Sequence, residues 1–508
     1  MQAHELADRC RAMTSLESMD DALEQAGCAG WCAFRCSTRS VFLEHFRVPY
    51  EVDPLCAETG IAHLRLPGTE ARVHWLRRPH AQPAPALVAG VDGARQIPLF
   101  ARVAGDAEAR LILRVLGGSW RREREIRSPG GQVLGSIWQR PDGSVLIPFD
   151  PDEAIESFWG EGYLSCVQGG RRRRARLSLM RAYYGGRPLL PRSAQIFLRQ
   201  RFAQLQARAR FPRWPIETCL HDLFDLLFAI LAGANGAPIP CMAPWPDGHR
   251  WALALTHDVE HAAGLEAIDP ILELERAHGV RSSFNLVPCR YDVDLQLVRD
   301  LVCDGFEVGV HGVHHDGRDL ESRRTWERRL PEAHRAARTW GSVGFRSAAL
   351  HRHPEWMRML DFEYDSSWPD TDPFEPQDGG CCSWLPFFNG EVVELPLTLP
   401  HDHTLFVILD HEDGTVWMRK TEFLRAHEGL AVIDTHPDYM HDERIRGAYR
   451  SFLERFSEDE SAWRALPREI SAWWRRRAAS RLMASDDGWR IVGPAAGEGR
   501  VAYRDGRR

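Results

Sequence analysis

The 508-residue sequence predicts an α/β barrel in its C-terminal half, preceded by a strand-rich α+β region. Three observations lead there. From Trp251 onward short apolar runs alternate with amphipathic helical segments, the pattern of a parallel sheet with helical crossovers. The alternation runs over about 220 residues, which fits a closed barrel. Ahead of residue 151 the apolar runs are instead broken by turn residues, as in a sheet joined by hairpins.

In chain order, the first 27 residues mix Glu5, Asp8, Arg9, Arg11 and Glu17 with short apolar pieces. They lack the apolar stretch of an export signal, so a cytoplasmic location is expected. Residues 1–150 read as an α+β domain. Within it, residues 131–138, the turn Pro141-Asp142-Gly143 and residues 144–148 form a predicted hairpin. Residues 151–245 read as a helical connector. Residues 194–210 carry apolar side chains on one face and arginines on the other. Residues 223–232 are apolar but interrupted by Asp225, and span about half of what a bilayer needs. A buried helix is therefore expected there, and no transmembrane segment. Pro238, Pro240, Pro244 and Pro246 suggest a stiff link. Residues 246–480 hold the barrel, with predicted strands at 251–256, 282–287, 306–310, 343–345, 362–366, 392–395 and 430–434. Residues 481–508 read as a tail.

Composition narrows the function. A net charge of −7 argues against a dedicated nucleic-acid binder. Twelve scattered cysteines fit a reducing compartment. Cys28, Cys32 and Cys36 would share one helix face but have no fourth ligand nearby, so they read as buried thiols rather than a metal or redox site. No role is assigned to Cys381-Cys382. The basic run Arg171–Arg174 reads as a solvated face, with an anionic-substrate contact as the alternative.

The chemistry gathers at predicted strand ends. Thr256-His257-Asp258-Val259-Glu260 follows the first strand, His311-Gly312-Val313-His314-His315 the third and Arg346-Ser347 the fourth. Asp365-Ser366-Ser367-Trp368 follows the fifth strand, and Thr435-His436-Pro437-Asp438 the last. In a parallel barrel these ends converge on one face. His311 and His315 lie four apart, so one helical turn would aim both imidazoles at a single ion. A carboxylate from the first strand end would complete three protein ligands and leave positions for water and substrate. A second carboxylate would take a proton from that water, and a histidine across the site would protonate a departing amine. These parts suit metal-assisted amide hydrolysis.

In order, residues 256–260, 311–315, 344–347 and 433–436 resemble the motifs of polysaccharide deacetylases (NodB-homology, carbohydrate esterase family 4). The resemblance covers residues 251–440. It implies a distorted (β/α) barrel, a divalent metal, most often zinc, and removal of N-acetyl groups from amino sugars. By position, Asp258 matches the family's water-activating base, His311 and His315 its metal ligands, Arg346 the residue that orients the base, and His436 the general acid. Asp365, Asp370 or Asp372 would match the acid's supporting carboxylate. The sequence departs from the common pattern at Val259, where a second, metal-binding acid is usual. In variants with an acid one residue later, Glu260 becomes the ligand and Asp258 the base. The competing assignment gives Asp258 to the metal and leaves Glu260 or His257 for proton transfer. The first is favoured because it keeps both functions on carboxylates of this motif.

His401 and His403 would line the pocket or stand inert in their loop. Trp368 and Trp384 would stack on a sugar or simply pack. The leading expectation is a metal-dependent hydrolase, carrying zinc, that deacetylates an amino-sugar-containing glycan or glycoconjugate. Without an export signal, a nucleotide-sugar, lipid-linked saccharide or secondary metabolite fits better than an extracellular polymer. The alternatives are another C–N amide hydrolase with a small closed metabolite pocket, and a non-catalytic glycan-binding or scaffold protein.

Overall fold

The computed structural model describes residues 39–52, 61–76, 84–167 and 191–507. Cys28, Cys32, Cys36 and the Arg171–Arg174 run lie outside them.

The N-terminal region builds an eight-stranded sheet from β1 (Glu51–Val52), β2 (Ile61–Arg65), β3 (Arg72–Leu76), β4 (Ala84–Ala89), β5 (Gln96–Ala101), β6 (Arg121–Arg127), β7 (Val133–Gln139) and β8 (Val145–Ile147). Its order is β1-β2-β3-β8-β7-β6-β4-β5. Neighbours are antiparallel except β3 against β8. The predicted hairpin is β7–β8, paired Trp138 to Leu146. Its turn closes where the Arg140 N–H donates to Ser144 O at 2.8 Å.

Helix Cys219–Asn235, the apolar run interrupted by Asp225, is indeed buried, with Leu220, Leu223, Leu226 and Leu227 all inside. Its Phe224 stacks on Phe42 of the N-terminal region. One continuous apolar core runs from Phe42 through this helix to Trp251 and Trp473. Each such Leu or Phe contributes about 1.5–3 kcal/mol of burial energy. No helix among the described residues is long and apolar enough to cross a membrane.

Within the proline-rich stretch, Ile239–Met242 is a strand, β9. The strands that follow are β10 (Trp251–Val259), β11 (Ser282–Leu286), β12 (Glu307–His311), β13 (Gly344–Arg346), β14 (Tyr364–Asp365), β15 (Phe387–Asn389), β16 (Val392–Glu394), β17 (Leu430–Thr435) and β18 (Ala462–Arg464). They form one sheet in the order β15-β16-β14-β13-β12-β11-β10-β17, with β18 also on β10. Every pairing is parallel except β15 against β16. Helices Ile268–Ala277, Leu295–Cys303, Arg323–Trp340 and Thr415–Ala426 supply crossovers. The last two of these start differently: Ser322 caps Arg323–Trp340 by accepting from the Thr325 N–H, whereas Thr415–Ala426 follows Gly414 and has its Thr415 N–H taken by Asp413 Oδ1 at 2.9 Å. No ladder joins β16 to β17. Residues just after β16 reach across instead: the Leu399 N–H donates to Val432 O at 3.0 Å, and Thr398 Oγ1 to Leu430 O at 2.8 Å.

The last residues form a hairpin of β19 (Arg481–Ser485) and β20 (Gly488–Val492), then β21 (Val501–Arg504), which pairs antiparallel with β9. What read as a tail is therefore folded onto the proline-rich stretch.

Candidate active site at the C-terminal ends of the parallel strands

In-register parallel neighbours put their side chains on one side of a sheet, about 4.8 Å apart. This sheet uses that rule repeatedly. Asp258 on β10 is the register partner of Asn285 on β11, and Asn285 Nδ2 donates to Asp258 Oδ1 at 2.8 Å. Gly309 is the partner of Asn285 on the far side, where a Cβ would stand 2.1 Å from Asn285 Oδ1. Thr256 is the partner of Asp434, and its Oγ1 lies 3.2 Å from Asp434 Oδ1.

Arg346, at the end of β13, is 1% exposed and lies in the centre of these groups. Its Nη1 donates to Asp258 Oδ1 at 3.1 Å, to Asp434 Oδ1 at 2.7 Å and to Thr256 Oγ1 at 2.9 Å. Its Nε and Nη2 donate to Ser366 O and Oγ. One guanidinium thus serves two acids. Burial pushes Asp258 up, but His311, Arg346 and His436 outweigh it and hold the carboxyl well below its usual range. Burial and the neighbouring Asp258 charge raise Asp434 to about 7. The pair accordingly keeps Asp258 as the anion.

His311 ends β12, and His315 follows after a tight reversal. The four-residue spacing does not form the predicted helical turn. Gly312 has φ +57°, and His315 has φ 52°. A Cβ on Gly312 would lie 3.0 Å from Asp319 Oδ2, so the reversal is built for glycine. The two imidazoles still meet, with ring centroids 5.0 Å apart. Glu260, just beyond β10, brings Oε1 to 2.9 Å from His315 Nε2. Glu260, His311 and His315 each offer one ligand atom, all within 4.8 Å of one another.

The donor set fits a divalent cation. Among the described residues, neither ring nitrogen of buried His311 nor His315 Nε2 makes a hydrogen bond of proper geometry; Asp258 Oδ2 faces His311 Nδ1 at 3.4 Å and Glu260 Oε1 faces His315 Nε2 at 2.9 Å. Buried imidazole nitrogens without partners are costly unless a ligand takes them.

His436 follows β17. Its Nδ1 is 2.6 Å from Asp402 Oδ1, its backbone N–H donates to Asp402 Oδ2 at 2.7 Å, and its Nε2 stands 3.4 Å from Glu260 Oε1. Burial lowers this imidazole, but the Asp402 and Glu260 carboxylates outweigh it and raise it well above the usual histidine range.

Asp402 was not among the carboxylates expected to support His436, and those three are engaged elsewhere. Asp365 accepts from Ser367 Oγ, Asp372 from the Phe374 N–H, and Asp370 pairs at 2.7 Å with Lys420, the chain's one lysine. The physical reason is the path of the chain: after β16 it crosses to β17, which carries Asp402 over the site. The His401-Asp402-His403 run after Pro400 was the available signal. Asn285 was missed as well, although an Asn set between Phe284 and Leu286 in a predicted strand is one. His401 Nε2 pairs with Glu375 Oε1 at 2.7 Å. His257 leaves the site entirely. It faces the helix layer, with Nε2 2.8 Å from Glu275 Oε1 and Nδ1 2.7 Å from Thr435 Oγ1. Both of its ring nitrogens are thus engaged away from Glu260, His311 and His315. Trp368 and Trp384 are buried, and Trp384 stacks on His221.

No protein-family model matches the chain, and no curated protein does. Solved structures are similar in part. A protein described as a polysaccharide deacetylase from Mycobacterium smegmatis is 20% identical, over 46% of this chain and 92% of its own, with a TM-score of 0.38. A polysaccharide deacetylase from Pseudomonas aeruginosa PAO1 is 16% identical over 48% and 97%, also at 0.38. Puue allantoinase is 15% identical over 52% and 98%, again at 0.38.

Proposed function

We propose that this chain is a metal-dependent hydrolase that removes N-acetyl groups from an amino-sugar-containing glycan or glycoconjugate, on a sheet that is a distorted (β/α) barrel. One observation carries the reading. A three-donor set (Glu260, His311, His315) lies between Asp258, paired with Arg346, and His436, paired with Asp402.

Glu260, His311 and His315 would hold the metal, zinc by the character of the donors. When bound, such an ion polarises an amide carbonyl and lowers the pKa of water. Asp258, kept anionic by Arg346 and oriented by Asn285, accepts the proton from the attacking water. Arg346 does not touch substrate in this scheme and acts by positioning Asp258. His436 holds its proton on Nε2 because Asp402 anchors Nδ1 and the backbone N–H together. It faces Glu260 across the site and delivers that proton to the departing amine as acetate leaves. This assignment makes Glu260 the ligand and Asp258 the base, because Glu260 completes a set with both histidines while Asp258 has Oδ1 tied to Arg346 and Asn285 and approaches His311 alone, at 3.4 Å from Oδ2.

The glycan half of the reading rests on the ordered motifs, and the amide-hydrolase half on the geometry. The test is hydrolysis by the zinc-loaded chain, followed as acetate release from N-acetylated amino-sugar oligosaccharides and nucleotide sugars and as ring opening of small cyclic amides and ureides. Release from the sugars, abolished in Asp258→Asn, supports the proposal. Turnover of the small amides alone would leave the hydrolase and remove the glycan. No turnover of any substrate by a chain that binds zinc stoichiometrically would sink both.

A further inference from the structure

The turn that presents His311 and His315 inward presents His314 to the opposite side, where it meets a second group of donors. Cys289 lies just beyond β11, and Glu332 is on helix Arg323–Trp340. Cys289 Sγ donates to Glu332 Oε2 at 2.8 Å, and His314 Nε2 stands 3.7 Å from the same oxygen. One ligand atom from each of the three falls within 4.8 Å of the others.

These donors are rooted in three different elements yet aimed at one point. The Cys289 N–H donates to Val313 O at 3.0 Å, which pins its loop to the histidine turn. Glu332 is fixed by its helix. The side chains of His314 and Glu332 are 36% and 39% exposed, so an ion reaches them directly from solvent. Sulfur, imidazole and carboxylate together are the donor set of a zinc-type ion, and three protein ligands leave a position for water. The buried cysteines Cys219, Cys241, Cys381 and Cys382 have no such access.

We propose that Cys289, His314 and Glu332 form a second site, for a thiophilic divalent cation such as zinc, on the outer side of the turn that bears His311 and His315. Binding breaks the Cys289 S–H bond, releases that proton to solvent and forms a sulfur–metal bond, with no change of oxidation state. The ion ties the Cys289 loop to the turn. The next residue, Arg290, already reaches the inner group, donating from Nη1 to His315 O at 2.8 Å and lying 2.9 Å from His261 Nε2. An ion at the outer site therefore stiffens the support of His315.

The test is titration of the full chain with cadmium, followed by the ultraviolet thiolate-to-cadmium charge-transfer band. The inner donors contain no sulfur, so the band is independent of the proposed hydrolase site. Wild type is expected to give a saturable band, and Cys289→Ser to lose that increment while Cys303→Ser keeps it. His314→Ala is expected to weaken the affinity about tenfold or more. A band undiminished in Cys289→Ser overturns the site. So does unchanged affinity in His314→Ala.

Discussion

The two sides of β10 hold the same kinds of residue and use them differently. On the helix side, His257 spends both ring nitrogens on Thr435 and Glu275, and Glu275 also accepts from Ser282 Oγ and from the Tyr449 hydroxyl. That network is closed. On the side of the strand ends, His311 Nε2 makes no hydrogen bond, and His311 Nδ1 and His315 Nε2 face carboxylate oxygens of Asp258 and Glu260 without completing one. A buried histidine is structural when the protein satisfies it and ligand-directed when the protein does not. Residue type and burial alone do not separate the two, since His257 is fully buried and His311 is 2% exposed.

The largest expected effect comes from Arg346, which both stabilises the strand ends and sets the charge of Asp258. Arg346→Ala leaves two buried acids without their cation and is expected to cost about 3–5 kcal/mol in denaturant unfolding. Hydrolysis should fall by at least about 10²–10³-fold. Arg346→Lys should not restore it, because a point charge cannot make the five contacts of the planar fork. A stable, active alanine variant would show that the two acids need no shared cation.

The next pair separates base from ligand. Asp258→Asn should lower the rate by about 10²–10⁴-fold while zinc stoichiometry, measured by elemental analysis, stays unchanged. Glu260→Gln should lose the zinc itself. The opposite pattern reverses the assignment.

A third comparison pits the two histidine environments against each other. His257→Ala should cost about 2–4 kcal/mol through a cavity and a deprived Glu275, with zinc retained. Replacing His311 and His315 together should cost about 1 kcal/mol or less and remove the zinc. Equal stability losses would erase the distinction between closed and open networks.

The smallest effect is a pH dependence from the Glu375–His401 pair. Burial opposes both charges, yet each partner's field prevails, with Glu375 lowered to about 2 and His401 raised to about 9. The Glu375 contribution is present above its unfolded value near 4.5 and is lost as pH falls toward 2. The His401 contribution is present below 6.5 and is lost as pH rises toward 9. The pair should therefore stabilise most between those unfolded values, and Glu375→Gln should flatten thermal stability on both sides. A wild type whose stability is flat through both windows would contradict the pairing.

The strand and helix pattern of residues 251–435 was legible because apolar periodicity is a local property. Predicted strands at 282–287 and 430–434 appear as Ser282–Leu286 and Leu430–Thr435. The inward-facing acids, histidines and Arg346 were legible because polar residues directly after apolar strands are costly without a purpose. Asp402 was not, because its partner lies 34 residues away and only the crossing from β16 to β17 joins them. The geometry of the His-x3-His group was misread for a related reason. Spacing alone cannot tell a helical turn from a reversal, which here depends on the room that Asp319 and Ala348 leave at Gly312.

Over residues 251–435 the sequence by itself determined the main strands and helices, and which polar residues stand at strand ends, since both follow from chemistry within a few residues. Only the tertiary structure decided that Arg346 serves two acids, that His257 faces away from the site, that Asp402 anchors His436, and that His314 joins Cys289 and Glu332. Each of these depends on register or crossover between distant segments, and such contacts take their energy from packing that no local window of sequence contains.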